Sequence, residues 1–230
     1  MNYILENLDE VTTLLQQHIQ MTLLTLAIAV SISIPLGWLV SNIRWLKKPV
    51  FGLLAAIYTI PSLALIILLV PLFGLNANSA IAAMVLYSQV ILVRNLVVGL
   101  EGIDPLLIEA AQGMGMNGWQ LWWRVQWPLV LPVFLAGVRL AAIVSVAIAT
   151  IGAKFGAGGL GTLLFDGIAQ AGRYDKIWAG SIVVMGLAFV LNGLLLLLEA
   201  ISNPVKRQNV TMFMGSVLQQ WKRKLLKRQP

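Results

Sequence analysis

The sequence has no cysteine and a single histidine, His18. Without cysteine there can be no disulfide framework, thiol nucleophile, haem attachment or cysteine-rich zinc site. One imidazole leaves little room for other metal chemistry, and no metal ligand or catalytic residue is assigned. Charge is scarce too: 11% of residues are Asp, Glu, Lys or Arg, against 59% hydrophobic, far too little polar surface for a soluble domain of this size. No G-x-x-x-x-G-K-S/T run occurs, which excludes ATP binding by that kind of loop and means that any ATP-derived energy must come from another subunit. Basic residues are missing from the first twenty positions, where Glu6, Asp9 and Glu10 stand instead. That pattern is wrong for a secretory signal, so the first apolar segment is expected to stay in the protein. No internal repeat or low-complexity linker is visible.

What is present is five long apolar stretches, at residues 21–40, 50–75, 79–100, 130–152 and 177–201. Each reaches the roughly 20 residues that cross a hydrocarbon core of about 30 Å. Lipid cannot satisfy open backbone groups, and the alternation of a barrel strand is absent, so each stretch is expected to be a helix. The fold class is therefore all-α and polytopic, with five core transmembrane helices in one domain over 21–203. Five spans place the termini on opposite sides. Arg44, Lys47 and Lys48 follow the first span, Arg124 lies in the third loop, and Lys206 and Arg207 follow the fifth; these mark the cytoplasmic side. The net charge of +7 then records orientation and not nucleic-acid binding. Residues 1–20 form an external segment in this reading, with His18 as an interfacial residue. The loop at 153–176 is a mild exception to the charge rule, with Lys154, Arg173 and Lys176 against Asp166 and Asp175. The basic tail at 204–230 reads either as an amphipathic helix on the cytoplasmic leaflet or as a solvated charged run.

Most loops are short, but residues 101–129 mix charges, glycines and aromatics, which a plain connector rarely does. Asp104 before Pro105 is an N-cap followed by proline at the first helical position, so a short helix should start there and carry Glu109, Ala110 and Ala111. Gly113 and Gly115 should break it, and a second short helix should run from Asn117 to Trp127 before Pro128 turns the chain into the membrane. Two short helices joined at glycine make a projecting knob suited to a partner. Trp119, Trp122, Trp123 and Trp127 crowd the same loop, where interfacial anchoring is their simplest role.

Glutamate, two alanines, three residues, Gly115, nine residues, Val125, one residue, then Trp127-Pro128 is similar to the cytoplasmic loop signature of the permeases of binding-protein-dependent ATP-binding-cassette importers. It departs from that signature at Trp127, where leucine is usual, and keeps its spacing. The resemblance implies a type I importer permease. Glu109, Ala110, Ala111, Gly115, Val125 and Pro128 would form the element that couples to an ATPase subunit. The implied partners are two ATPase subunits, which hold ATP and Mg so that this chain needs no cofactor, a second permease copy or paralogue, an external solute-binding protein and the lipid of a bacterial inner membrane. A further resemblance over residues 58–167, in the stretch from Thr59 to Leu65 and in Tyr87-Ser88 and Arg94-Asn95, is to permeases for osmoprotectants such as glycine betaine, choline or carnitine; methionine permeases share much of it.

Within the second span Thr59-Ile60-Pro61-Ser62 removes a backbone donor and breaks the helix. Such breaks either pack as simple kinks or line a solute path. Thr59, Pro61, Ser62, Tyr87 and Asn95 are the path candidates. Arg94, Arg139 and Glu199 lie inside the spans near cytoplasmic ends, as structural ion pairs or as charged steps in the path. Gly156, Gly158 and Gly161 fit G-x-G-x-x-G, but a membrane span precedes them where a dinucleotide fold needs a strand. They read as a flexible linker, or, as their resemblance to the external loop of the same permease family implies, as a tight re-entry before a short helix that includes Asp166. Two rival functions remain, a stand-alone secondary transporter and a membrane scaffold; the first usually needs more intramembrane acids than Glu199.

Overall fold

The structure, a computed structural model, describes residues 2–202; the basic tail, including Lys206 and Arg207, lies outside them. It is helical, with no strand among the described residues. The helices are α1 (Asn2–Glu6), α2 (Leu8–Asn42), α3 (Arg44–Thr59), α4 (Ser62–Phe73), α5 (Ala77–Glu101), α6 (Pro105–Gly113), α7 (Gly118–Leu121), α8 (Trp127–Gly152), α9 (Gly161–Ala169) and α10 (Tyr174–Ser202). Four stretches are long and apolar enough to cross a membrane: α2, α5, α8 with the segment leading into it, and α10. The α3–α4 pair makes a fifth if its two arms, bent by 101°, count as one span. At 1.5 Å per residue the arms are only about 24 and 18 Å long, so neither crosses alone.

Helix packing rests on small residues. In lipid there is no hydrophobic force between helices, so close backbone approach and hydrogen bonding must hold them together. On α8, Gly137, Ala141, Ser145, Ala149 and Gly152 fall at three- or four-residue spacing and are buried; on α2, Thr22, Thr25, Ala29, Ser33 and Gly37 do the same. Between these faces lies α5. It runs parallel to α2, with Gln89 Nε2 donating to the Ala29 carbonyl at 3.1 Å and Leu96 against Gly37. It runs antiparallel to α8, with Asn95 against Gly137 and Ala80 against Gly152. Both α8 and α9 pack on α10.

The helix that holds the first span, α2, begins at Leu8 and not near residue 21, so residues 8–20 continue that helix. His18 is correspondingly fully buried and not interfacial. Its Nε2 donates to the Val146 carbonyl at 3.2 Å and its Nδ1 accepts from the Leu160 amide at 3.3 Å. Beside it Gln17 Oε1 accepts from the Gly159 amide at 2.9 Å. The glycine segment is thereby clamped between α2 and α8 and leads directly into α9, which carries Asp166.

A Cβ on Gly137 would sit 2.9 Å from Asn95 Cβ, whereas one on Gly186 of α10 meets nothing within 4 Å. Gly137→Leu should therefore lower stability by about 1–3 kcal/mol, the usual cost of forcing extra bulk into a packed contact. Gly186→Leu should change it little. Thermal unfolding of the detergent-solubilised variants reads the difference, and equal melting would contradict this packing.

Candidate functional site

Three places concentrate polar residues: the loop between α5 and α8, the break between α3 and α4, and an ion pair between α8 and α10.

The loop is built on a fixed root. Lys47 Nζ lies 2.6 and 2.7 Å from the two Glu101 carboxylate oxygens, tying the start of α3 to the end of α5. Both side chains are substantially exposed, so the pair orients the root more than it stabilises it. Asp104 then caps α6, its carboxylate accepting from the Leu106 amide at 2.9 Å, with Pro105 at the first turn.

The end of α6 is a Schellman motif. The Met116 amide donates to the Ala111 carbonyl at 3.2 Å and the Gly115 amide to the Gln112 carbonyl at 2.9 Å, with Gly115 at φ +80°. Gly113 plays no part in stopping the helix; it is the last residue of α6. Ala111 faces inward, 2% exposed, so only one of the two alanines is on the surface. Glu109, Ala110 and Gly115 are exposed. Beside them stand Leu106 (69% exposed), Leu107 and Met114 (71%). This apolar face was missed in the sequence, where leucines and a methionine next to a span look like membrane residues.

After Gly115 the chain does not form a separate second helix ended by Pro128. Asn117 and Gln120 form a reciprocal capping box, with bonds of 2.9 and 3.1 Å. Then α7 passes into a π-helical turn, Trp122–Gln126, and on into α8. The Trp127 amide reaches back five residues to the Trp122 carbonyl. That wider turn lets the helix run on through Pro128, whose ring lacks a donor. Pro128 is exposed in the first turn of α8, and Val125 is half-buried. The tryptophans stack on one another, with ring centres 5.5 Å apart for Trp119 and Trp123 and 5.8 Å for Trp122 and Trp127. Trp127 continues the stack onto Phe134 at 5.8 Å. They make a packed aromatic base for the knob.

At the break, Thr59, Pro61, Ser62 and Tyr87 come together. The Tyr87 hydroxyl donates to the carbonyl of Ile60, which stands in extended backbone between the two helices and has no helical partner. Thr59 Oγ1 donates to its own helix, to the Ala56 carbonyl at 2.7 Å. Tyr58 packs its ring 5.5 Å from that of Tyr87. Asn95 is elsewhere: it lies two turns further along α5, bonds to the Ile91 carbonyl at 2.8 Å and packs on Gly137.

Arg139 and Glu199 meet, Nε to Oε2 at 3.4 Å, and join α8 to α10. Arg94 does not join them; it is exposed on α5 and is in no ion pair among the described residues. At the start of α10, Arg173 binds Asp175 at 2.9 Å. Lys154 lies over the Phe165 ring and Lys176 over that of Tyr3. The surplus of basic residues in this loop is thus largely paired or packed on aromatic faces.

Residues 21–204 match the family described as the binding-protein-dependent transport system inner membrane component. The chain is 37% identical over 208 residues to the osmoprotectant import permease protein OsmW of Salmonella typhimurium, covering 88% of this chain and 96% of the relative. It is 33% identical over 192 residues to the glycine betaine/carnitine/choline transport system permease protein OpuCD of Bacillus subtilis, covering 84% of each. In fold it is similar to a chain of the inward-facing MetNI methionine ABC transporter, with a TM-score of 0.79 and 18% identity over 85% of this chain and 97% of the other.

Only Gly115 among the loop glycines combines a left-handed φ with the end of α6. Gly115→Ala should cost about 1–2 kcal/mol of local stability, which at about 1.4 kcal/mol per decade is roughly tenfold faster amide exchange across residues 110–116. Gly113→Ala, inside the helix, should slow exchange or leave it unchanged. Hydrogen exchange on the solubilised protein decides between them.

Proposed function

The chain belongs to the binding-protein-dependent transport system inner membrane components, and from that premise we propose that it carries a quaternary-ammonium osmoprotectant, such as glycine betaine, choline or carnitine, across the membrane under the power of a separate ATPase. The solute class is supported by what the relatives are named for, together with the sequence match over most of each chain. The likeness to the methionine transporter supports the fold alone.

One observation carries the coupling: the face of α6 that presents Glu109, Ala110, Leu106, Leu107 and Met114 is exposed, apolar around a single acid, and mounted on a stiff base. It fits a groove on an ATPase subunit, where ATP and magnesium would bind. Closure of the ATPase pair on ATP would draw two such knobs together and tilt the spans, opening a central path outward to receive solute from the binding protein; hydrolysis would reset it. The second knob comes from a second permease copy or a paralogue. The knob then faces the cytoplasm and the N-terminus lies outside, as the basic residues Arg44, Lys47 and Lys48 support; a tag at Asn2 should be reached from outside the cell, and labelling from the cytoplasm would reverse the orientation.

Proteoliposomes holding the complete transporter with its binding protein should take up labelled betaine, choline or carnitine about tenfold or more above methionine. Methionine uptake without any of the three would overturn the solute assignment. Glu109→Lys should remain inserted yet lose uptake and co-purification of the ATPase. Reversing a charge at a docked contact costs about 2–5 kcal/mol, a weakening of roughly thirtyfold to several-thousandfold. Wild-type uptake in Glu109→Lys would reduce the knob to a connector.

A further inference from the structure

The break between α3 and α4 lies deep in the membrane, and its outer side is uncovered. Depth follows from Tyr87, whose hydroxyl bonds the Ile60 carbonyl. Tyr87 is ten residues into α5 from Ala77, or about 15 Å from that end, near the middle of a hydrocarbon core of about 30 Å. Thr59 and Pro61 are exposed, and so is Tyr58, at 48%. Non-helical backbone at such depth is not tolerated against lipid; it is found only where protein covers it or where it lines a watery cavity.

Two features of this place bear on what could pass it. Residues 49–73 carry no charged side chain. All nine acids of the chain lie elsewhere: Glu6, Asp9 and Glu10 near the N-terminus, Glu101, Asp104 and Glu109 in the long loop, Asp166 and Asp175 near α9, and Glu199 against Arg139. No carboxylate is therefore at hand for a cation at this depth. What the break does offer is an aromatic ring. Tyr87 is held by the Ile60 carbonyl and supports Tyr58 from behind, at 5.5 Å and a 59° tilt, while much of Tyr58 stays open. The electron-rich face of such a ring attracts a quaternary ammonium, most strongly where water is excluded.

We infer that Tyr58, braced by Tyr87, is a solute-binding step within the membrane path of this chain and takes the quaternary ammonium group of the solute on its ring. This deepens the function proposed above and rests on its solute class. This requires the ring to face a cavity and not lipid, where it would discriminate for positive charge without a carboxylate that would hold the solute too tightly to release it. Selectivity would then not rest with the binding protein alone.

The chain has no cysteine, so a single introduced thiol reports cleanly. Ala55 is exposed one turn before Tyr58 on α3. In the complete transporter in proteoliposomes, Ala55→Cys should react with a thiosulfonate bearing a trimethylammonium group. Its rate relative to an uncharged methyl thiosulfonate should fall about tenfold when Tyr58→Leu is added and recover with Tyr58→Phe, which keeps the ring. Choline should slow the reaction while Tyr58 is present. In uptake, Tyr58→Leu should raise KM about tenfold and Tyr58→Phe should restore it. A thiol at position 55 that neither reagent reaches would mean that lipid or a second protein covers the break, and would overturn the inference. So would a rate ratio indifferent to Tyr58. The labelling ratio is read without solute, so it stands or falls separately from uptake: a wild-type transporter that ignores betaine, choline and carnitine contradicts the solute class and not the cation-attracting ring.

Discussion

Every backbone amide and carbonyl inside a membrane must find a partner within the protein, and the rest of this structure follows from how that demand is met where helices stop. At three interruptions a side chain from elsewhere in the fold supplies a missing bond. The Tyr87 hydroxyl takes up the Ile60 carbonyl at the α3–α4 break. Gln17 and His18 take the amides of Gly159 and Leu160 where the chain turns into α9. The Ser79 hydroxyl covers the Gly74 carbonyl before α5. Where no outside partner reaches, between α7 and α8, the chain stays helical by widening into a π turn. Those of Tyr87, Gln17 and His18 join residues 27 to 142 positions apart, so they fix the spans in register where small-residue packing alone would let them slide.

That division explains where mobility can reside. The α2, α5 and α8 faces are close-packed and carry buried residues at nearly every turn. By contrast α3 has one buried residue, Leu54, and α4 only Leu65 and Ile66. A broken span hung on one side of a tight three-helix core can tilt without dismantling the core, which is what alternating access asks of a permease. The knob meets the opposite need. Its caps, its Schellman turn and its stacked tryptophans make it stiff, so that force applied there would move spans and not be lost in the loop.

Much of this was legible in the sequence because it depends on local chemistry. The bounds of the later spans, the Asp104-Pro105 helix start and the disruption at Pro61 all follow from neighbouring residues. The spacing from Glu109 to Pro128 placed the knob. What stayed hidden depends on distant partners. His18 looked interfacial because it precedes the apolar stretch that starts at Met21; its partners, Val146 and Leu160, are more than a hundred positions away. Lys47 read only as an orientation signal until Glu101 was seen beside it. Arg139 and Glu199 meet, but nothing in the sequence separates them from Arg94, which does not. Ala110 and Ala111 are identical in type, and only the packing of α6 shows that one faces out and the other in.

That last distinction gives the sharpest test of the central claim, that the exposed face of α6 is the surface that meets the ATPase. With no native cysteine to interfere, single thiols at positions 110 and 111 can be tagged with a short photoreactive group in the assembled transporter. Ala110→Cys should cross-link to the ATPase subunit, and Ala111→Cys, turned inward at 2% exposure, should label poorly and cross-link little. No cross-link from position 110, with full labelling there, would contradict the account.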